Sequence, residues 1–129
     1  MSYSIVKPAE LPFTERPYRP QDAPRQVASL TAALGLENAR ASLWRYPPGV
    51  RGRRHREGAQ EEVFACLEGT ITLALGDPTE MIELPAGSFA RVGTGTEIQV
   101  RNESAADAVV LAWGAPAVTG EAEILDDLP

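Results

Sequence analysis

The chain has one histidine, one cysteine and no long apolar run, and each scarcity excludes something. With Cys66 alone, no internal disulfide can form, which fits a reducing compartment and a cytoplasmic location. With His55 alone, any Ser-His-Asp arrangement would need that one residue, and no stretch shows the order such a triad takes. No apolar run approaches the ~18 residues that span a membrane. The opening MSYSIVKPAELPF lacks the apolar centre of a secretion signal. Basic residues are scarce in the second half: residues 57–129 hold two arginines against fourteen Asp/Glu, whereas residues 1–56 hold ten Lys/Arg against four Asp/Glu. The net charge of −6 argues against nucleic acid as a partner, because phosphate contacts need a net basic face. The uneven spread implies attraction between the halves, across the fold or across a dimer.

A length of 129 residues suits one core. Residues 1–25 carry Pro8, Pro12, Pro17, Pro20 and Pro24, which remove amide donors and rule out a helix or a central strand. An extended arm is expected there, with a single domain over 26–129. Ile5, Val6, Leu11, Phe13 and Tyr18 give the arm apolar surface to bury. Ser29 to Gly35 reads as one helical turn, capped by Ser29 or Thr31 and ended by Gly35. Asn38 to Tyr46 alternates as a strand, with Ser42, Trp44 and Tyr46 on one face and Ala41, Leu43 and Arg45 on the other. Further short strands are expected at 70–75, 81–84, 88–92, 96–101 and 108–113, with Ile124 and Leu125 adding a last one. Many short strands with turns every eight to twelve residues predict an all-β sandwich or barrel. No internal repeat is visible beyond a weak likeness of two glycine-bounded halves.

Those halves carry the chemistry. Gly49 is followed by five residues, then His55-Arg56-Glu57, four residues, Glu62, six residues and Gly69. Gly87 is followed by five residues, Gly93-Thr94-Gly95, two residues, Ile98, three residues and Asn102. On an extended chain His55 and Glu57 share a face, as do Glu62, Phe64 and Cys66. Cys66 reads as a small buried apolar residue. The arginines Arg51, Arg53, Arg54 and Arg56 flank His55, and guanidinium pairs well with an anionic ligand.

The two spacings resemble the two motifs of the cupins. The resemblance implies a double-stranded β-helix, a jelly-roll-type barrel. It also implies that the motif residues point into the lumen, where the family binds a divalent metal. Carried over position by position, His55 and Glu62 keep the family's residue type. Glu57 stands for a histidine and retains a donor atom. Ile98 stands for a histidine and has none. The candidate ligand pocket is therefore His55, Glu57, Glu62, Phe64 and Ile98. The candidate metal group is His55, Glu57 and Glu62, for Mn, Fe, Ni or Zn.

Two readings stand open. One is a binding protein that takes a small molecule, with an anionic one in view, without an essential metal; the other is a metal-dependent isomerase or dioxygenase. Without a metal, the inward carboxylates need a shared proton, an arginine such as Arg45, Arg53 or Arg91, or water. Barrels of this type often cover a sheet with a second subunit, so a homodimer using the arm is expected.

Overall fold

A computed structural model describes residues 2–117 and 122–129 and shows two antiparallel sheets facing each other. The first sheet contains β1 (Thr14–Arg16), β2 (Arg25–Ser29), β3 (Arg40–Tyr46), β10 (Ala108–Ala115), β5 (Glu61–Glu68) and β8 (Phe89–Val92), in the order β1-β2-β3-β10-β5-β8. The second contains β4 (His55–Glu57), β6 (Thr70–Leu75), β7 (Glu80–Pro85), β9 (Ile98–Arg101) and β11 (Ala122–Ile124), in the order β11-β4-β9-β6-β7. This is the all-β double-stranded β-helix that the paired motifs imply.

Side chains from both sheets meet in one core. Phe64 and Cys66 of β5, Ile71 and Leu73 of β6, Ile98 and Val100 of β9, and Val110 of β10 are all buried in it. Each fully buried aliphatic or aromatic side chain contributes roughly 1.5–3 kcal/mol. The turns between strands use glycine where geometry demands it. Gly69, between β5 and β6, has φ of +70°, and a Cβ there would stand 2.5 Å from the Asp107 carbonyl oxygen. Only a residue without a side chain fits both conditions.

The helical turn forms as expected. α1 (Leu30–Leu34) starts at Ser29, whose hydroxyl accepts from the Ala32 amide at 3.2 Å, and ends at Gly35 in the left-handed region. The N-terminal arm departs from a fully extended course. Pro8–Glu10 makes a 3-10 turn, because Pro8 pre-sets φ and the Glu10 carboxylate accepts from the Lys7 amide at 2.9 Å. Thr14–Arg16 then pairs with Arg25–Ser29 at the sheet edge. The sequence pattern signals neither strand, since such short segments give alternation too little length to register. The arm packs on its own barrel: the Arg45 guanidinium lies 4.1 Å over the Phe13 ring, and the Ser4 hydroxyl donates to the Leu34 carbonyl at 2.6 Å. Tyr3 and Ile5 stay exposed.

The acidic C-terminus folds back on the basic residues near His55. Arg51 donates to Asp127 at 3.1 Å and to the Leu128 carbonyl at 3.0 Å. Arg54 donates to the Asp126 carbonyl at 3.4 Å, and Arg56 pairs with both Glu97 and Glu123. Asp127 also accepts from the buried Gln99 amide at 2.7 Å. The charge asymmetry of the two halves is thus met within one chain.

Candidate functional site

β4 is short and flanked on both sides. β11 pairs with it through Ala122↔Glu57 and Ile124↔His55, and β9 through His55↔Ile98. Its alternation sends His55 and Glu57 to the same inward face. β5 belongs to the opposite sheet and brings Glu62 and Phe64 inward. The trio therefore bridges the two sheets. His55 Nε2 stands 3.4 Å from Glu62 Oε1 and 3.8 Å from Glu57 Oε1. One donor atom from each of the three lies within 4.8 Å of the others.

The electrostatics of the trio are unusual. Glu62 Oε1 is buried and has no aligned hydrogen-bond partner among the described residues, although the His55 ring stands within ion-pair range. His55 Nδ1 faces the Arg53 carbonyl at 3.5 Å. If Nδ1 carries the proton toward that carbonyl, Nε2 turns a lone pair toward two carboxylates unless a second proton or a cation stands between. Burial disfavours the imidazolium, but the Glu62 carboxylate, then the Arg53 carbonyl and Glu57, outweigh it and raise the His55 pKa. Burial, with the charge of Glu62 behind it, raises the Glu57 carboxyl against the opposing pull of His55 and Arg40.

These groups line a cavity of about 300 Å³. Trp44, Tyr46, Phe64 and Val110 supply apolar wall, and Arg16, Arg25, Arg40 and Arg53 add positive charge. Of the five sequence-derived pocket residues, His55, Glu57, Glu62 and Phe64 line this cavity. Ile98 does not: it is fully buried in the core behind His55, its cross-strand partner.

The arginines also differ from expectation. Of the cluster beside His55, only Arg53 reaches the cavity, because the C-terminal tail holds Arg51, Arg54 and Arg56. Arg45 lies over Phe13 on the outer face, and Arg91 pairs with Glu61 at 2.7 Å. Arg40, which carries no sequence signal, is the arginine whose charge acts on Glu57. Sequence reasoning also misses Arg16 and Arg25, for both lie far upstream of His55. Trp44 and Tyr46 had a legible signal, since their strand alternation with Ser42 already set them on one face. Cys66 is inert by position: burial pushes its thiol up, and its Sγ donates to the Glu68 carbonyl at 3.4 Å.

Two facing antiparallel sheets with a His/Glu/Glu group projecting between them make this a small double-stranded β-helix protein. The family profile for the Cupin domain matches residues 42–114, and the chain belongs to the cupin family. Solved structures agree on the fold. A predicted oxalate decarboxylase from Thermotoga maritima aligns with a TM-score of 0.74 at 17% identity, covering 87% of this chain and 98% of that one. A sugar phosphate isomerase from a cupin superfamily of Silicibacter pomeroyi gives 0.66 at 26% identity, over 72% of this chain and 60% of that one. The protein TT1209 from Thermus thermophilus gives 0.66 at 26%, over 88% and 97%. No curated protein matches the chain.

Proposed function

We propose that the chain binds a divalent cation through His55, Glu57 and Glu62, and takes a small molecule in the lumen beside it. The observation that carries this reading is the buried Glu62 Oε1, which has no aligned hydrogen-bond partner among the described residues and stands 3.4 Å from the His55 ring. A buried carboxylate oxygen left without a partner is costly, and a cation removes the cost. The residues fit such an ion. Metal–ligand bonds of ~2.1 Å place adjacent donors about 3 Å apart, near the 3.4 and 3.8 Å found here. One imidazole with two carboxylates suits Mn or Fe(II) and accepts Ni or Zn. Bound there, the ion would act as a Lewis acid toward a ligand oxygen.

The chain's own residues supply the rest. The Arg53 carbonyl orients the His55 ring, as outer partners of metal-bound histidines do. An isomerase-type activity is the catalytic form of the reading. The name borne by the Silicibacter pomeroyi neighbour supports that form over a dioxygenase.

A second reading, small-molecule binding without an essential metal, draws on Ile98. It supplies no donor at the position directly across from His55. Elemental analysis of untagged protein, followed by Mn and Zn titration, separates the two. Binding close to one ion per chain, lost in His55→Ala and in Glu62→Gln, is expected. No metal in the purified protein and no binding at micromolar concentration would leave the metal-free reading standing. In either case we place the protein in the cytoplasm, in keeping with its lone buried thiol.

A further inference from the structure

Away from the His/Glu/Glu group, the same cavity contains a buried guanidinium. Arg25 is 5% exposed, and among the described residues no carboxylate lies within ion-pair distance of it. Its Nη1 donates to Tyr46 Oη at 3.2 Å and its Nε to the Arg16 carbonyl at 3.3 Å. The guanidinium carbon lies 4.5 Å from the Trp44 ring centroid and 5.6 Å from that of Tyr46. Gly52 closes the cradle: a Cβ there would stand 2.5 Å from Tyr46 Oη and 2.8 Å from Arg25 Nη1. The side chain is therefore held in one orientation by aromatic faces, one hydroxyl, one carbonyl and a glycine that leaves it room.

Its cross-strand partner is Arg16. Residues directly opposite on an antiparallel pair share a face, and like charges there repel. Both arginines line the cavity, and neither has a carboxylate in ion-pair range among the described residues. A guanidinium held only for packing would be expected to have a counter-charge, because burying an unpaired charge is unfavourable. Cation–π contact offsets part of that cost, but does nothing for the repulsion between the two arginines. An oxyanion in the cavity relieves both. Nη2 of Arg25 makes no hydrogen bond among the described residues, and a guanidinium N–H pairs well with a carboxylate or phosphate oxygen.

We propose that Arg25, assisted by Arg16, is an oxyanion subsite of the lumen. The ligand class follows: a small molecule with a carboxylate or phosphate at the Arg25 end. A cavity of about 300 Å³ limits it to small metabolite size. Resting on the cation reading above, its other end carries oxygen donors that face His55, Glu57 and Glu62.

Calorimetric titration of the full chain with inorganic phosphate and with malate, against glycerol as the neutral control, tests this. Each titration is run without metal and with Mn. The oxyanions bind the metal-free protein more tightly than glycerol does. Arg25→Gln weakens them at least tenfold, roughly the loss expected of a charge-assisted hydrogen bond. Arg16→Gln weakens them about fivefold, as fits an exposed charge. Arg16 is exposed on an edge strand, so its variant keeps the fold and decides the matter if Arg25→Gln fails to fold. The tighter of the two oxyanions shows whether a phosphate ester or a carboxylic acid is the natural partner. Oxyanion affinity equal to that of glycerol, or unchanged in Arg16→Gln, overturns the subsite. Binding that falls in the variants while Mn fails to bind supports the subsite and rejects only the cation reading.

Discussion

A histidine in place of Ile98 would stand across the strand pair from His55, and it adds a fourth donor to the trio if it reaches past the core that closes over this position. Ile98 is fully buried and is the direct cross-strand partner of His55. Paired residues have Cβ atoms ~5 Å apart on the same face, so two imidazoles there can reach one ion. Without metal the exchange is unfavourable. It removes a buried aliphatic side chain worth roughly 1.5–3 kcal/mol and buries imidazole nitrogens that cost about 1–3 kcal/mol if unpaired. A loss of about 3 kcal/mol corresponds to a fall of about 10 °C in Tm for a domain of this size. Metal bound only to the folded state returns about 2.7 kcal/mol at a hundredfold excess over Kd. Melting of Ile98→His should therefore recover to near the wild-type Tm in saturating Zn or Ni. Wild type, with three donors, should shift less at the same concentration. Differential scanning fluorimetry with and without chelator reads both. Equal metal-dependent shifts in the two proteins would show that the residue at 98 does not reach the ion and that the cross-strand argument is wrong.

Three further outcomes are expected. Tyr3 and Ile5 remain exposed on the arm, and we propose that a second copy of the chain covers them in a homodimer. Light scattering should give twice the chain mass at micromolar concentration, and deleting residues 2–12 should shift it toward the monomer; an unchanged dimer after the deletion would refute the arm's role. Gly69→Ala should lower stability by about 2 kcal/mol or more, through a strained φ and a clash with the Asp107 carbonyl; a neutral result in chemical denaturation would contradict the geometry. Burial works against the Asp127 carboxylate, but hydrogen bonds from Gln99 and Arg51 outweigh it and hold its pKa below the ordinary value. Its contribution is present above the unfolded pKa and is lost as pH falls through the lower folded pKa, in the acid range below about 4. Asp127→Asn should remove that part of the acid-side loss in melting curves taken from about pH 6 down to about pH 2.5, and an identical acid profile in the variant would count against the pinned tail.

What could be read in the chain was local or periodic. Glycine-bounded spacings are local, so both motifs, and through them the barrel, were legible. Strand alternation is periodic, so His55 and Glu57 could be set on one face and Glu62 and Phe64 on another before any packing was known. Ser29 and Gly35 marked a helical turn by their chemistry alone. The meeting of Glu62 with His55 is a different matter, because it joins strands of opposite sheets; the family resemblance implied it, and alternation by itself did not. Tertiary structure alone decided which arginines serve the lumen. Arg51, Arg54 and Arg56 stand next to His55 in sequence, yet residues far down the chain hold them, Arg51 and Arg56 through carboxylates and Arg54 through a backbone carbonyl. Arg16 and Arg25 stand far from His55 in sequence, yet strand pairing at the sheet edge sets them against each other in its cavity. Ile98 shares its sheet face with His55, but the core closes over it before the cavity begins. Charge pairing and burial are set by contacts between distant segments, and composition carries no record of which segments meet.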